Sequence, residues 1–298
     1  MRVVDLFCGC GGLSLGFEKE GYNVVAAYDN WDAAIEVYKS NFNHPVYKFD
    51  LMDVERATES VKSHHPEMII GGPPCQDFSP AGKRDENNGR GDLTVSYAKI
   101  VAAVRPEWFV MENVERITKT QKLLDAVGVL KKAGYGLTQI VLDASLCGVP
   151  QKRKRFILVG KMGAADGFIL NVLKEHLASK PMTVADALGD ELDIKFYYRH
   201  PRSYARRGIF SVDEPSPTIR GVNRPIPAGY TPHSTDPIKD LTGIRALTSV
   251  ERSMIQTFPK DFKFIGTKTS IEQMIGNAVP VNLGAYVGRC IKLFIQES

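Results

Sequence analysis

A cysteine directly behind two prolines is the feature of this chain that points most clearly to chemistry. Cys75 lies in the stretch GGPPCQDFSP, residues 71–80, where the apolar run Met68 to Ile70 ends. The prolines stiffen the backbone and remove two hydrogen-bond donors. A thiolate attacks soft electrophilic carbon once its pKa is lowered or a proton acceptor lies nearby. This rigid, polar setting favours a nucleophile over a buried structural cysteine.

A carboxyl group and two guanidinium groups are expected to face the same site as this thiol. Glu112 ends the apolar run EWFVM, and the segment QKRKR carries Arg153 and Arg155. Because side chains alternate along an extended chain, Gln151, Arg153 and Arg155 share one face. A thiolate, a carboxyl and a guanidinium suit attack on a ring that needs a proton at nitrogen and a hydrogen bond at a carbonyl. Cytosine is such a ring.

The stretch DLFCGCGG, residues 5–12, predicts a ligand-binding turn between a strand and a helix. Glycines let the backbone approach a ligand closely, and a helix N-terminus offers free N–H groups. The spacing is not GxGxxG, which argues against a dinucleotide. Asp29 suits a ribose diol, Trp31 offers a face for an adenine, and Asp50 can accept from the adenine amine. Together they favour S-adenosylmethionine, although helix N-capping is an alternative role for both aspartates.

Short β-rich runs alternate with helical stretches through the first half and predict a parallel sheet with crossover helices. Five predicted strands end in the glycine-rich turn, Asp29, Asp50, the Cys75 loop and Glu112. Ligands of open α/β sheets bind beyond the carboxyl ends of the strands. These groups are therefore predicted to meet at one rim. Two further strands are predicted at LTQIVLDA and RKRFILVGK.

The alternation fails after about residue 163, and residues 200–237 are rich in Pro, Arg and turn residues. Order returns where Thr248 and Glu251 have capping-box spacing ahead of a helix that stops before Pro259. Pro280 suits the first turn of an amphipathic C-terminal helix. We predict a catalytic domain at residues 1–175 plus 266–298 and a second, smaller domain at 176–265.

Basic residues concentrate in this second region. The net charge of the chain is only +4, but seven Lys and Arg between Lys195 and Arg224 stand against two acids, Asp213 and Glu214. Such a stretch is typical of a phosphate-contacting surface and equally of a solvated basic face. Charge alone does not decide between the two.

Composition is that of an ordinary soluble enzyme, with 298 residues, 43% hydrophobic and 24% charged. We expect no membrane span, because no run of about 18 apolar residues occurs. The start MRVVDLFCGC lacks a signal-peptide pattern, so we expect a cytoplasmic protein. Five cysteines without a CxxC pair or a nearby His cluster indicate neither a disulfide framework nor a metal site.

Five motifs, in this order, closely resemble those of the DNA (cytosine-5)-methyltransferase family. They are DLFCGCGGLSLGF, GGPPCQDFS, ENV, QxRxR in QKRKR, and QxxGNxV in QMIGNAVP. The resemblance covers residues 1–160 and about 245–298, and the variable target-recognition region of that family lies between them. It implies an α/β fold, with a Rossmann-like S-adenosylmethionine-dependent methyltransferase sheet and a smaller target-recognition domain.

The resemblance also implies a role for each catalytic residue. The target cytosine leaves the duplex, and Cys75 adds to its C6. Glu112 hydrogen-bonds the N3 side of the ring and supplies or stabilises a proton there. Arg155 holds O2, Arg153 supports Arg155 and the catalytic loop, and Asn113 braces the Cys75 loop.

The matching motif positions imply two binding sets. For S-adenosyl-L-methionine they are Phe7, Gly9, Gly11, Leu13, Asp29, Trp31, Asp50, Leu51, Pro74, Asn277 and Val279. Some relatives place the ribose acid directly before the tryptophan, where this chain has Asn30; others leave one residue between, which makes Asp29 the acid. For DNA the set is Ser79, Lys83 and Arg90 in the loop after Cys75, with Thr218, Arg220, Asn223 and Arg224 around SPTIRG.

Three readings of function are open at this point. The first is a methyltransferase acting on double-stranded DNA as a monomer, with a cognate restriction endonuclease as its functional partner. The second is the tRNA-methylating branch of the family, which carries a Cys-Phe-Thr element that this chain lacks. The third is a DNA-binding regulator without catalysis, against which stands the presence of every proposed catalytic side chain.

Overall fold

The computed structural model describes residues 1–74, 92–201, 203 and 206–297, apart from the side chain of Asp190. A seven-stranded sheet lies at the centre and two small two-stranded sheets lie beside it. The strands in chain order are β1 Arg2–Leu6, β2 Asn23–Asp29, β3 Val46–Lys48, β4 Met68–Gly71, β5 Trp108–Val114, β6 Tyr135–Asp143, β7 Gln151–Lys152, β8 Lys154–Met162, β9 Phe196–Tyr198, β10 Ile209–Ser211 and β11 Ser216–Pro217.

The central sheet has the order β3-β2-β1-β4-β5-β8-β6. Strands β1 to β5 run parallel, which confirms the predicted parallel sheet, whereas β8 is antiparallel to both β5 and β6. The predicted α/β class is therefore confirmed, with a mixed sheet. The order reverses between β1 and β4. In an open α/β sheet a ligand crevice forms at such a reversal, outside the carboxyl ends of the strands.

Helices cover both faces of this sheet, and further helices pack together beside it. They are α1 Gly12–Lys19, α2 Asp32–Lys39, α3 Val54–Lys62, α4 Leu93–Val104, α5 Gln121–Lys132, α6 Leu170–Glu175, α7 Val184–Leu188, α8 Ser249–Ile255, α9 Lys268–Asn277 and α10 Val281–Glu297. Alternation along β1 divides the core, because Val3 packs on the α1 and α10 side while Val4 packs on the α3 and α4 side. In β5, Trp108 and Phe109 divide in the same way.

A separate apolar cluster builds the second region. It contains Tyr197 of β9, Phe210 of β10 and Ile219, together with Ile255 of α8 and Ile275 of α9. The capping box predicted at Thr248 and Glu251 is confirmed at the start of α8. The predicted domain limits stay a prediction, and α9, which we assigned to the catalytic domain, shares this apolar cluster.

One stretch of the described chain, Lys268–Glu297, is long and apolar enough to cross a membrane by length and composition. However, 67% of its most apolar window is buried inside the fold. Within this stretch, Leu283 and Val287 of α10 pack with Leu13 and Phe17 of α1 in the main core. Packing in the core accounts for the apolar character of this helix.

Candidate active site

A cavity of about 790 Å3 opens at the carboxyl ends of the parallel strands. Its wall contains residues from the ends of β1, β2, β4 and β5, the segment after β3 and the loop after α9. The predicted convergence of strand ends on one rim is thus confirmed for the described residues. The lining residues that the sequence also predicted for the cofactor are Phe7, Gly9, Leu13, Asp29, Trp31, Asp50, Leu51, Pro74, Asn277 and Val279.

Two glycines of the turn after β1 have different roles. Gly9 has a φ of +54°, and a Cβ added there would meet no atom within 4 Å, so it would project into the cavity. Gly11 has a φ of +93°, but a Cβ there would lie 2.3 Å from Cε2 of Phe42. Gly11 does not line the cavity. It permits close packing of the turn on α2 and its following residues, so the structure places it behind the site.

The Asp29 carboxylate fixes the geometry of this wall. Its Oδ2 accepts from the backbone N–H of Gly9 at 2.8 Å, and its Oδ1 accepts from that of Trp31 at 2.8 Å. Burial raises the pKa of Asp29, and these backbone hydrogen bonds partly oppose the effect. Each carboxylate oxygen has a second lone pair, so Asp29 can still accept from a ligand hydroxyl. Asn30 also lines the cavity and is exposed.

Glu112 and Arg155 form a nearly buried ion pair at the inner wall. Nε of Arg155 lies 2.8 Å from Oε1 of Glu112, and only 11% of the Glu112 side chain is exposed. Burial raises the pKa of Glu112, and the charges of Arg155 and Arg153 offset part of that rise. Glu112 lines the cavity, and Arg155 is paired with it without lining the cavity itself. A carboxyl group with a raised pKa can give a proton to a ring nitrogen and take it back.

The segment that leads to Cys75 is held from the neighbouring strand. Nδ2 of Asn113 donates to the carbonyl of Pro73 at 2.8 Å, and its Oδ1 accepts from the backbone N–H of Val114. Pro73 is two residues before Cys75. Cys75 itself, with the predicted DNA contacts Ser79, Lys83 and Arg90, lies outside the described residues.

The QxRxR segment alternates as predicted, because Gln151 and Arg153 are buried while Lys152 and Lys154 are exposed. Arg153 does not line the cavity. Its guanidinium donates to the carbonyl of Ile219 at 3.0 Å and to two carbonyls at the C-terminal end of α9, those of Gly276 and Ala278. Arg153 therefore connects distant segments of the chain through hydrogen bonds. Of the two arginines, only Arg155 forms the ion pair with Glu112.

The predicted DNA contacts around SPTIRG lie outside the cavity. Oγ1 of Thr218 donates to the carbonyl of Lys152 at 2.7 Å, and the Arg220 guanidinium donates to the carbonyl of His200. Nδ2 of Asn223 donates to the carbonyl of Leu247 and to Glu272. Arg224 is exposed. The first three side chains thus already have partners within the protein.

Sequence reasoning missed about half of the lining. The additional residues are Cys8, Cys10, Gly12, Asn30, Phe49, Met52, Gly72, Leu93, Met274 and Ala278. Most of them lie next to a predicted residue in the chain. The motifs therefore predicted which segments line the cavity, but not every side chain that does so. Met274 lies inside the motif QMIGNAVP but was not singled out there. Leu93 had no such signal, because helix packing brings α4 to the wall.

The described residues fit S-adenosylmethionine. The cavity volume lies within the range of about 300–1,000 Å3 that is typical of small-molecule sites. The wall combines an acid at a strand end, aromatic faces at Trp31 and Phe49, and a glycine whose missing side chain leaves room. Asp29 would hold the ribose and Asp50 the adenine amine.

Other chemistries find less support in the described chain. Cys8, Cys10, Cys147 and Cys290 are free and buried, and burial raises the pKa of each thiol. A buried thiol with a raised pKa is a poor nucleophile. Among the residues that the structure describes, no group of three or more His, Cys, Asp or Glu could hold a metal ion.

Comparisons with known proteins identify the family of this chain. The family model described as C-5 cytosine-specific DNA methylase matches residues 1–293. The chain is 59% identical to the type II methyltransferase M.HindV of Haemophilus influenzae over 298 residues, covering 100% of this chain and 98% of that protein. It is 54% identical to the type II methyltransferase M.HgiDI of Herpetosiphon aurantiacus, with 100% and 96% covered.

Solved structures agree in fold. The Dnmt2 methyltransferase of S. pombe has a TM-score of 0.72 at 15% identity, covering 100% of this chain and 99% of that one. The methyltransferase EhMeth of Entamoeba histolytica has a TM-score of 0.69 at 18% identity, with 100% and 98% covered. At this identity the likeness concerns the fold alone. From the family match over nearly its whole length, the chain belongs to the C-5 cytosine-specific DNA methylases and is an S-adenosyl-L-methionine-dependent DNA (cytosine-5-)-methyltransferase.

Proposed function

We propose that this chain is the modification enzyme of a type II restriction–modification system and methylates C5 of one cytosine in a specific duplex sequence. The type II names of its full-length relatives support the system. The Glu112–Arg155 pair supports the chemistry, because it combines a proton-exchanging carboxyl and a hydrogen-bond donor beside the cofactor cavity. This pair is the single observation that carries the proposal.

The roles of the residues follow from electron flow in the cytosine ring. The thiolate of Cys75 forms a bond to C6, and the electron pair of the C5–C6 double bond moves toward the N3 side. Glu112 gives a proton to N3, and Arg155 donates to O2, so that negative charge does not accumulate on the ring. C5 thereby becomes nucleophilic. The cofactor supplies an electrophilic methyl group.

The adduct then decomposes by elimination. A base removes the proton from C5, the bond between C6 and the sulfur of Cys75 breaks, and the aromatic ring returns. The N3 proton goes back to Glu112, so the enzyme is regenerated. Burial raises the pKa of Glu112, which favours the protonated carboxyl that gives a proton to N3.

Duplex DNA would lie over the region between the core around the central sheet and the separate apolar cluster of the second region. The loop after Cys75 supplies Ser79, Lys83 and Arg90, and the segment after β11 supplies Thr218, Arg220, Asn223 and Arg224. Exposed Arg224 and the main-chain-bound Arg220 add positive charge there. Phosphate contacts of this kind release counterions, so DNA affinity is expected to fall steeply with salt concentration.

We also propose an oligomeric state, a cellular compartment and a functional partner for this enzyme. The enzyme acts as a monomer in the cytoplasm, its target-recognition domain spans residues 176–265, and its functional partner is an endonuclease that cuts the same sequence. Methylation of each newly made site would protect it from that endonuclease. Nothing in this requires the two proteins to touch.

The test is methyl transfer with a position readout. Purified protein, labelled S-adenosylmethionine and duplex DNA should give label at cytosine C5, and bisulfite sequencing of DNA from expressing cells should show one sequence context. Cys75→Ser should abolish transfer, while Cys147→Ser, at a buried cysteine that does not line the cavity, should retain it. Transfer to tRNA in preference to DNA, or full activity of Cys75→Ser, would refute the proposal.

A further inference from the structure

A fully buried glutamine outside the recognised motifs links three distant parts of the chain. Gln256 is the first residue after α8 and has no exposed surface. Its Oε1 accepts from Nε2 of Gln151 at 2.8 Å, and its Nε2 donates to the carbonyls of Ile275 and Ala278. Both amide hydrogens and the amide oxygen are therefore used. The orientation of this amide is fixed by its partners.

The partners of Gln256 also bind the recognition segment, which we define as residues 216–221. Oε1 of Gln151 accepts from the backbone N–H of Ile219 at 2.8 Å. Arg153 donates to the carbonyl of Ile219 at 3.0 Å. Both backbone groups of one residue in the recognition segment are thus held by side chains of the QxRxR motif.

The same side chains hold the segment that lines the cofactor cavity. We call residues 275–280 the cofactor loop; they comprise the end of α9 and the residues that join it to α10. Arg153 donates to the carbonyls of Gly276 at 3.0 Å and Ala278 at 3.1 Å, and Gln256 donates to Ala278 from the other side. Asn277, Ala278 and Val279 lie in the cavity wall. One buried polar network therefore contacts the recognition segment and the cofactor loop together.

No side chain separates the two segments where they meet. A Cβ added to Gly276 would lie 2.1 Å from the backbone nitrogen of Gly221 and 2.3 Å from the carbonyl carbon of Arg220. Direct backbone contact leaves little room for one segment to move without the other. A displacement of the recognition segment would pass to the cavity wall.

The turn that carries Gln256 is held in an unfavourable conformation. Thr257 has a φ of +63°, which is an outlier for a β-branched residue. Its Oγ1 donates to the carbonyl of Gln256 and accepts from the backbone N–H of Asn282. Such strain persists only where the surroundings over-determine the backbone. Here the strained turn directs the Gln256 amide onto the cofactor loop.

We propose that Gln256 is a positioning residue that fixes the recognition segment against the cofactor loop, so that DNA binding and cofactor binding strengthen each other. The inference rests on the proposed function, because it takes the recognition segment to meet DNA and the cavity to hold S-adenosylmethionine. Coupling of this kind is reciprocal. It needs a rigid connection between the two sites, which the Gln256 network supplies.

The experiment measures the affinity for duplex DNA with and without saturating S-adenosylhomocysteine, by fluorescence anisotropy. The wild type should bind DNA at least about fivefold more tightly with it, within the usual range of coupling. Gln256→Glu keeps the size and the acceptor but removes both donors, and should reduce the ratio to below about twofold. In this variant kcat should fall by a larger factor than the KM for DNA rises. The groups that bind DNA are still present, but they are no longer aligned with the cofactor cavity. Gln139→Glu, at an exposed position of β6, makes the same change as a control.

Several outcomes would overturn the inference. If the wild-type enzyme binds DNA equally well with and without S-adenosylhomocysteine, the two sites are not coupled and Gln256 cannot have the proposed role. A Gln256→Glu variant with native far-UV circular dichroism and full coupling excludes the role of Gln256. If that variant does not fold, Gln256→Met, which removes the amide without adding charge, is measured instead. If neither folds, Gln256 is a residue of stability, and its positioning role is rejected. A wild type that binds DNA cooperatively but transfers no methyl group refutes the proposed function and leaves the coupling intact.

Discussion

Arg155 meets Glu112 diagonally across two antiparallel strands, with 2.8 Å between Nε and Oε1. In the register of β5 and β8, Arg155 pairs with Val114, and Glu112 pairs with Ile157. The two side chains are therefore a diagonal pair on one face of the sheet. Strand pairing, and not a loop, fixes their separation. A catalytic pair built on strands is held more precisely than one built on loops.

Glu112→Gln tests the carboxyl of this pair. The amide keeps the shape but cannot transfer a proton, so kcat should fall by about 10²–10⁴-fold. The affinity for S-adenosylhomocysteine, measured by calorimetry, should stay within about threefold, because ribose and adenine contacts come from other strands. Glu175→Gln, exposed on α6, should change neither quantity. A large loss of cofactor affinity with kcat preserved would contradict the assignment.

Gly9→Ala and Gly11→Ala should separate cofactor binding from packing. Both impose a positive φ on alanine, which costs about 1 kcal/mol. The methyl group at position 9 enters the cavity, so cofactor affinity should fall at least about tenfold while the melting temperature changes little. The methyl group at position 11 meets the Phe42 ring, so the melting temperature should fall much further than for Gly9→Ala. Equal effects of the two substitutions on cofactor affinity would contradict this distinction.

Asn113→Ala tests the hydrogen bond to Pro73. Without the donor, the segment leading to Cys75 loses one fixed contact worth about 1 kcal/mol. Covalent capture of duplex DNA containing 5-fluorocytosine should become about fivefold to tenfold slower, because the thiol is placed less precisely. The exposed Asn43→Ala variant serves as the comparison. An unchanged capture rate would show that Asn113 does not position the loop.

Asp5→Asn tests a buried carboxyl beneath the glycine-rich turn. Burial raises the pKa of Asp5 to about 8, although its Oδ2 accepts a hydrogen bond from Ser14 at 2.6 Å. The folded protein then holds a proton that the unfolded chain releases near pH 4. The contribution of Asp5 to stability is full below pH 4 and is lost as pH rises through about 8, at about 1.4 kcal/mol per unit.

In Asp5→Asn the side chain at position 5 is uncharged at every pH, so it makes no pH-dependent contribution to the free energy of unfolding. The difference in unfolding free energy between Asp5→Asn and wild type should therefore shift in favour of the variant from pH 5 to pH 8. Urea denaturation at several pH values measures it. Asp261→Asn, at an exposed position, makes the same substitution and serves as the control. A flat difference for Asp5→Asn would show that Asp5 is ionised in the fold.

Much of the site could be predicted from the sequence, because its functional side chains lie at the ends of strands. Asp29 ends β2 and Glu112 lies near the end of β5, and the carboxyl ends of parallel strands meet at one edge of the sheet by geometry. The same argument located the glycine-rich turn and Asp50. In QxRxR, the period of two placed Gln151 and Arg153 on the buried face. Because these rules are local, the fold class, the rim and the chemistry gathered there could be predicted from the chain alone.

Tertiary packing decided what each of these residues does. Gly11 and Gly9 share a motif and a backbone conformation, and only the position of Phe42 separates their roles. Arg153 and Arg155 share a face, but only Arg155 reaches Glu112, because the carbonyls of Ile219 and Gly276 hold Arg153. Gln256 carries no local signal at all. Its three partners lie 19 or more residues away, and contacts between remote segments depend on how the whole chain packs, which no short pattern encodes.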